Sequence, residues 1–93
     1  MKILVLNCGS SSIKYKLYDM TDESVLAQGG AERVGLDEAF VKVTLKDGSK
    51  EKIMHDMPDH KEGVKFVFQL LLDPKYGALK SLDEIDAVGH RVV

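Results

Sequence analysis

The sequence predicts a small α/β or α+β domain in which strands come first along the chain, led by a β-hairpin. Three observations support this prediction. Apolar runs of strand length dominate the first 57 residues, an Asp-Gly pair separates two of them, and the apolar periodicity becomes that of a helix after residue 59. Strands and helices in this order predict a mixed sheet with helices packed against it.

The first two predicted strands form the hairpin. Residues 2–6 are a continuous apolar run, which is typical of a strand buried on both faces. Residues 13–18 alternate between apolar residues and mostly lysine, which predicts a half-buried strand. Because residues 7–12 between them are polar and contain a glycine, we expect a wide hairpin loop there.

Four more strands are expected, three before a central helix and one after it. Residues 24–31 predict a third strand that two adjacent glycines weaken. Residues 40–45 and 51–57 flank Asp47-Gly48, and this pair favours the tight turn of a second hairpin. The last strand is predicted over residues 87–93.

A helix is predicted between the second hairpin and the last strand. Asp59 and Glu62 have the spacing of an N-cap residue and its partner three positions later. The helix should end near Leu72, because the residue before Pro74 avoids the helical region. Its apolar stripe consists of Val64, Val67, Phe68 and Leu71.

Two expectations concern the remaining residues. Ser81 and Glu84 predict a second, short capped helix, and the core is expected to include Phe66, Phe68 and Leu70 to Leu72. The chain stops inside the apolar run AVGHRVV, whereas domains usually end in exposed polar segments. We therefore expect the 93 residues to be the first part of a longer protein.

Composition excludes several classes of protein. Apolar residues make up 44% and charged residues 30%, an ordinary balance for a soluble globular domain. With a net charge of −2 and no dominant basic run, neither nucleic acid nor an anionic membrane is an expected partner. No apolar stretch approaches the roughly 18 residues of a membrane span. Because Cys8 is the single cysteine and cannot form an internal disulfide, we expect a reducing compartment, the cytoplasm.

The stretch LNCGSSSIKYKLYD, residues 6–19, holds more hydrogen-bond donors than a turn requires. A tight turn gathers backbone N–H groups into an anion-binding concavity, to which serine hydroxyls and lysine add donors. Every second residue of an extended chain points to the same face, and here these residues are Ser10, Ser12, Lys14 and Lys16. The pattern favours a polyphosphate ligand, although the P-loop and dinucleotide-binding motifs are absent. A serine-rich turn beside a solvated lysine face is the alternative.

This stretch also resembles a known family. VLNCGSSSIKYKLYD is similar to the N-terminal signature of the acetate kinase family, and the closing DAVGHRVV resembles its second signature, which continues past the end of this chain. The segments AERVG, MPDH and SLDEIDAVGHRVV fit the family as well. The resemblance covers the whole chain from Met1 to Val93, with two specific motifs in the right order.

The resemblance implies both a fold and an activity. Members of the family belong to the sugar kinase/Hsp70/actin superfamily, with ribonuclease H-like domains and ATP in the cleft between them. Residues 1–93 would be the N-terminal part of one such domain. The family transfers the γ-phosphoryl group of ATP reversibly to acetate, giving acetyl phosphate and ADP, with Mg²⁺. The whole proteins are several times longer and usually homodimers, so the 93-residue segment alone is expected to be inactive.

The resemblance also implies roles for individual residues. Asn7 would lie near the metal and the phosphates, although superfamily relatives often carry Asp there, so the metal contact is expected to be indirect or weak. Arg91 would face the acetate carboxylate and the phosphoryl group during transfer. Val93 would form part of the apolar pocket for the acetate methyl group. The phosphate side of the cleft would be lined by Ser10, Ser12 and Lys14.

Arg91 and the histidines also support expectations that do not depend on the family. A guanidinium is a planar fork that matches a carboxylate or phosphoryl group, so Arg91 in an apolar strand favours an anion, with an acidic neighbour as the alternative. His90 precedes Arg91 on the opposite face of that strand and is expected to be structural or to support the site residues, and not to act as a catalytic base. Since His55 and His60 lack a second ligand at metal-binding spacing, no zinc site is expected.

Three functions stay open at this point. The first is the N-terminal segment of an acetate kinase. The second is a kinase of the same family that acts on propionate or butyrate, which pocket size would decide and for which Val93 is the only visible wall. The third is a non-enzymatic nucleotide-binding module that uses the same hairpin.

Overall fold

Six strands and two helical segments make up the described part of this computed structural model, which comprises residues 1–45, 47–77 and 79–92, with the backbone alone for Arg91 and Val92. The strands are β1 Lys2–Cys8, β2 Ser12–Asp19, β3 Ser24–Glu32, β4 Phe40–Thr44, β5 Lys50–Met54 and β6 Ala87–Val92. The helix α1 spans His60–Leu72, and a single 3-10 turn spans Leu82–Glu84. The predicted mixture of leading strands and packed helix is therefore confirmed.

The strands form one mixed sheet in the order β5-β4-β3-β2-β1-β6. Strands β1 to β5 are a meander of antiparallel neighbours, and β6 pairs in parallel with β1 at the other edge. A parallel pair requires a crossover connection, and α1 lies on that crossover between β5 and β6. As a result β1 is an interior strand, paired on both sides.

The core lies between α1 and one face of the sheet. Along β2, Ile13, Tyr15 and Leu17 are buried and face the helix, whereas the lysines between them are exposed. The predicted alternation of this strand is confirmed. On α1, Val67 and Leu71 of the predicted stripe are fully buried, and Val64 and Phe68 are half-buried against the core.

The helix begins and ends where the sequence predicts. Asp59 is the N-cap, and its side chain accepts a hydrogen bond of 2.9 Å from the backbone N–H of Glu62. The helix ends at Leu72 and Asp73 is its C-cap. Gly48 in the predicted turn between β4 and β5 has a φ of 88°, a conformation that glycine adopts without strain.

The turn between β1 and β2 is tighter than the predicted wide loop. β1 continues to Cys8 and β2 begins at Ser12, so only residues 9–11 connect them. Polar side chains do not interrupt the ladder, because its hydrogen bonds join backbone groups. Asn7 therefore pairs with Lys14 as regularly as the apolar residues before it pair with theirs.

The core prediction for α1 is wrong at its edges. Leu72 is 38% exposed, since it follows Leu71 by one position and points about 100° away from the buried stripe. Phe66 and Phe68 are half-buried and pack against the core. Phe66 also stacks on His55, with ring centroids 3.7 Å apart, just past the end of β5. That strand ends at Met54, three residues before the predicted end.

The adjacent glycines of β3 stand in different environments. Gly29 pairs with Tyr15 on β2, and the Tyr15 ring lies where a Gly29 side chain would stand. A Cβ atom on Gly29 would lie 2.6 Å from the Lys42 carbonyl oxygen and 2.7 Å from the Tyr15 hydroxyl. A Cβ atom on Gly30 would meet its nearest neighbour at 3.6 Å, an ordinary contact. Thus Gly29 makes room for the tyrosine, and Gly30 does not.

Tyr15 is structural in this arrangement. Its side chain is 2% exposed, and burial raises its pKa to about 12, so it stays neutral at physiological pH. Its hydroxyl is buried and has no hydrogen-bond partner among the described residues. The ring thus supplies apolar contact area in the core.

A polar cluster ties the 3-10 turn to the first strand. The Glu84 carboxylate accepts 2.7 Å from Lys2 Nζ, 2.6 Å from the Lys80 backbone N–H and 3.1 Å from that of Ser81. The last contact completes the predicted capping box with Ser81. The Lys2 ammonium, followed by the two backbone donors, lowers the pKa of Glu84 to about 2.

Within residues 1–45, 47–77 and 79–92, neither helical segment is long and apolar enough to cross a bilayer.

The two glycines of β3 should respond in opposite ways to alanine. Gly29→Ala forces a methyl group against a carbonyl oxygen and a buried ring, and we expect it to destabilise the protein by about 1–3 kcal/mol. Gly30→Ala makes only ordinary van der Waals contacts and restricts the unfolded chain, so it should be neutral or stabilise by about 0.4–1 kcal/mol. Urea unfolding of both variants measures the difference, and equal stabilities would contradict the described packing of Tyr15.

Glu84 should make stability depend on acidity. Because its folded pKa is depressed from 4.5 to about 2, its contribution is full above pH 4.5 and is lost as the pH falls toward 2. The melting temperature of Glu84→Gln should therefore lie below wild type at neutral pH, and the gap should close in strong acid. Asp83→Asn is the control, since that carboxylate forms no ion pair with a described residue. A gap that stays constant with pH would rule out the ion pair as its source.

Candidate functional site

Three of the predicted site residues occupy one row across the sheet. Asn7 on β1 pairs with Lys14 on β2 on one side and with Arg91 on β6 on the other. Neighbouring strands lie about 4.8 Å apart, so the three backbones fall within roughly 10 Å of one another. The meander brings Lys14 to this row and the crossover through α1 brings Arg91, which is 84 positions after Asn7 in the chain.

Asn7 and Lys14 lie on the face of the sheet that α1 leaves free. Buried residues of β1 and β2 alternate with these two, and the buried ones are on the helix side. Lys14 is exposed and Asn7 is half-buried. Both line a groove of about 580 Å³ on the helix-free face. Of the four residues predicted to share one face, Ser12, Lys14 and Lys16 follow this alternation, whereas Ser10 lies in the turn before β2.

Three polar contacts hold the turn at residues 9–11 in place. The Gly9 N–H donates 2.8 Å to the Ser12 carbonyl, and the Val34 N–H donates 2.9 Å to the Ser11 carbonyl. His60, the first residue of α1, places its Nε2 2.6 Å from the Gly9 carbonyl oxygen, to which it can donate. Contacts from a neighbouring turn and from the helix start thus hold the loop in one position.

Within the described residues, the loop keeps donors available for a ligand. The Ser10 and Ser11 backbone N–H groups donate to no acceptor among them, and Ser10 is exposed. The Ser12 hydroxyl lies over Gly9, where a Cβ atom would approach it to 2.7 Å. Gly9 thus leaves room for that hydroxyl at the base of the loop. Free N–H groups and a hydroxyl in a tight turn suit an anion.

His60 is a residue that sequence reasoning missed as a part of the site. The N-cap signal at Asp59 predicts where α1 begins, but it does not predict which loop lies beside that end. The contact between His60 and Gly9 joins residues 51 positions apart. It arises only when α1 packs against the sheet, so no local pattern could have predicted it.

His90 lies on the face of the sheet opposite Asn7. Its Nε2 is 3.1 Å from Cys8 Sγ, and its register partner on β1 is Leu6, which is buried on the helix side. The expected separation of His90 from the predicted transfer site is therefore seen in the structure. Cys8 is itself buried.

The predicted metal contact at Asn7 is compatible with this arrangement. Mg²⁺ prefers oxygen ligands and usually keeps several waters while binding substrate phosphates, so one neutral amide oxygen beside a phosphate site fits its chemistry. In residues 1–45, 47–77 and 79–92, no group of three or more His, Cys, Asp or Glu side chains could hold a metal ion. A contact by Asn7, directly or through water, is the role this segment could play.

Two predicted residues fall wholly or partly outside the described part of the structure. Arg91 is described by its backbone, which places it beside Asn7, but not by its side chain. Val93 lies outside the described residues altogether. Their assigned contacts with acetate and the phosphoryl group remain predictions.

Comparison with known proteins places this arrangement in a family. The family model for the acetokinase family matches residues 2–93. Acetate kinases of Bacteroides thetaiotaomicron and Phocaeicola vulgatus are each 61% identical over 93 residues, which is all of this chain and 23% of theirs. The chain thus spans about a quarter of the length of these curated relatives.

Solved structures agree with the sequence comparison. The crystal structure of Porphyromonas gingivalis acetate kinase matches 96% of this chain and 22% of its own with a TM-score of 0.93 at 55% identity. A propionate kinase from Francisella tularensis matches 99% of this chain and 22% of its own with a TM-score of 0.78 at 33% identity. The predicted ribonuclease H-like, actin-like ATPase fold is confirmed. Because the family model matches residues 2–93, the chain belongs to the acetokinase family.

Proposed function

We propose that the chain is the N-terminal part of a ribonuclease H-like domain of an acetate kinase. The whole protein would transfer the γ-phosphoryl group of ATP to acetate, reversibly, giving acetyl phosphate and ADP. The observation that carries the proposal is the row of Asn7, Lys14 and Arg91 across three neighbouring strands. The family and the identity of 61% to proteins named acetate kinase support the choice of substrate.

Phosphoryl transfer requires positioning and charge neutralisation and little covalent chemistry from the protein. An acetate oxygen forms the new bond to the γ-phosphorus, and the bond from that phosphorus to the bridging oxygen of ADP breaks. No side chain has to act as the nucleophile. We therefore expect hydrogen-bond donors around an anion site, and the segment carries such donors in the turn of residues 9–11 and at Lys14.

Each residue of the row has a distinct proposed part. Lys14 and the serine-rich turn would hold the phosphates, with Lys14 as a point charge. Asn7 would hold Mg²⁺ directly or through water, and that ion neutralises phosphate charge when bound. Arg91 would bind the acetate carboxylate and the transferring phosphoryl group through its planar fork. Val93 would face the acetate methyl group.

The finer parts of the proposal rest on the family resemblance and on simple observations. A cytoplasmic location is supported by the single cysteine, Cys8, which is buried and has no second cysteine to form an internal disulfide with. A homodimeric whole protein rests on the resemblance alone. Propionate is the weaker substrate assignment, because the propionate kinase structure is 33% identical to this chain and the acetate kinase structure 55%. Residues 1–93 by themselves would supply half of a site.

Asn7 gives a first test in the whole protein. Asn7→Ala removes one preorganised group beside developing charge, and we expect turnover to fall by about 10²–10³ while the Mg²⁺ concentration for half-maximal rate rises. Gln28→Ala is the matched control, because Gln28 lines the same groove two strands away. A wild-type magnesium titration for Asn7→Ala would mean that Asn7 is only part of a turn.

Arg91 gives the decisive test. Arg91→Ala should raise the acetate KM and lower kcat by about 10³–10⁵, because an arginine in this role stabilises transition-state charge. The nucleotide KM should change far less. Arg91→Lys should restore little, since an ammonium lacks the planar fork.

The control for Arg91 is the other arginine of the chain. Arg33 donates 2.8 Å to the Asp37 carbonyl in the turn before β4, so Arg33→Ala should keep turnover within a few-fold of wild type. Steady-state kinetics of the three variants, with folding checked by circular dichroism, measure these effects. A folded Arg91→Ala enzyme with near wild-type turnover would show that the arginine is structural.

A further inference from the structure

The helix α1 reaches the serine-rich turn through the side chain of its first residue, His60. The His60 Nε2 lies 2.6 Å from the Gly9 carbonyl oxygen. A carbonyl oxygen can only accept a hydrogen bond, so Nε2 carries the hydrogen and donates it. The imidazole is half-buried, and a hydrogen bond is stronger where less water surrounds it. The start of α1 is thereby bonded to the backbone of the turn.

This bond also fixes the direction of a second backbone group. The Gly9 carbonyl shares one peptide unit with the Ser10 N–H, and that unit is trans. A trans peptide unit is planar, and its C=O and N–H groups point in opposite directions. Because His60 holds the Gly9 carbonyl toward α1, the Ser10 N–H must point away from α1. This N–H donates to no acceptor among the described residues, so its direction decides what it can bind.

The close approach of α1 to the sheet depends on Gly63. A Cβ atom on Gly63 would lie 2.7 Å from the Cδ1 atom of Ile13 on β2, which is closer than ordinary contact. Without that atom, the first turn of α1 can lie against the start of β2. Residues three positions apart share one side of a helix, so His60 lies on the side of Gly63. The missing side chain thus lets His60 reach the turn.

Two backbone hydrogen bonds hold the segment before α1 from the other side. The Gly35 N–H donates 2.7 Å to the carbonyl of Met57, a fully buried residue three positions before His60. The neighbouring Val34 N–H donates 2.9 Å to a carbonyl of the turn at residues 9–11. With the bond from His60, these contacts link the turn, the residues before β4 and the start of α1 in a closed ring. The imidazole is therefore held in place from two directions.

We propose that His60 is a positioning residue for the proposed phosphate site. It turns the peptide unit of Gly9 and Ser10 so that the Ser10 N–H faces the phosphates of the nucleotide. Lys14 lies on the face of the sheet away from α1, which is the direction in which this N–H points. A donor that is oriented in advance needs no rearrangement when a charged group arrives. The inference rests on the proposed function, since it takes the turn at residues 9–11 to be the phosphate site.

Three substitutions of His60 in the whole protein separate the donor from the bulk of the ring. His60→Leu removes the donor, and the affinity for ATP with Mg²⁺ should fall about tenfold or more, as for one lost hydrogen bond to a charged group. His60→Gln should retain most of the affinity, because its amide nitrogen lies as many bonds from Cβ as Nε2 does. His60→Asn has the same amide but is one methylene shorter, so it should behave like His60→Leu. Calorimetric titration measures the affinities.

Steady-state kinetics provide a readout that a loss of stability would not produce. In His60→Leu the nucleotide KM should rise and kcat should fall. The acetate KM should stay near its wild-type value, because acetate binding is proposed for Arg91 and Val93 and not for the turn. His55→Leu is the matched control, since the His55 ring stacks on Phe66 beyond the end of β5. It should leave both KM values unchanged.

Several results would overturn the positioning role of His60. One is full affinity for ATP in a His60→Leu protein that circular dichroism shows to be folded. Another is an equal loss in His60→Gln and His60→Asn, and this comparison decides alone if His60→Leu does not fold. A rise of the acetate KM as large as that of the nucleotide KM would indicate a general disturbance of the domain and would also overturn the role. A wild-type protein that binds ATP but transfers no phosphoryl group to acetate would contradict the proposed function, and the binding comparison at His60 would still hold.

Discussion

The pairing of β1 on both sides is the constraint on which the rest of the structure depends. β1 pairs with β2 as the first half of a hairpin. It also pairs with β6, which follows the crossover that contains α1. An interior strand has its backbone N–H and C=O groups hydrogen-bonded to a neighbouring strand on both edges. This pairing places Asn7 between Lys14 and Arg91. A shift of β6 by one residue would turn its side chains to the other face, and Arg91 would then no longer belong to the row of Asn7 and Lys14.

The two faces of the sheet differ in the side chains that they present. The face toward α1 is filled with aliphatic residues and Tyr15, for which Gly29 leaves room. The other face has few apolar residues near β2 and β4 and presents lysines instead. Strand alternation alone produces this division, because neighbouring residues of an extended chain point to opposite sides. A rigid packed face can therefore support a polar face whose groups stay available for ligands.

The positions of the elements were predictable to the extent that their signals are local. The N-cap Asp59, the turn at Asp47-Gly48 and the capping box of Ser81 and Glu84 each act within four residues, and each is found where the pattern indicates. The predictions failed where local signals compete with tertiary contacts. The turn before Ser12 is shorter than expected because backbone pairing continues through polar residues.

The sequence by itself determined the family, the two-faced pattern of β2 and the identity of the donors around Ser10 to Lys14. These follow from side-chain types and a period of two, which the chain carries wherever it folds. Only the tertiary structure decided that Lys14 and Lys42 border the same gap at Gly30, and that His60 reaches the Gly9 carbonyl. Those contacts depend on strand register and on how α1 packs. Register and packing are set by the burial of many residues at once, so no single stretch of sequence contains them.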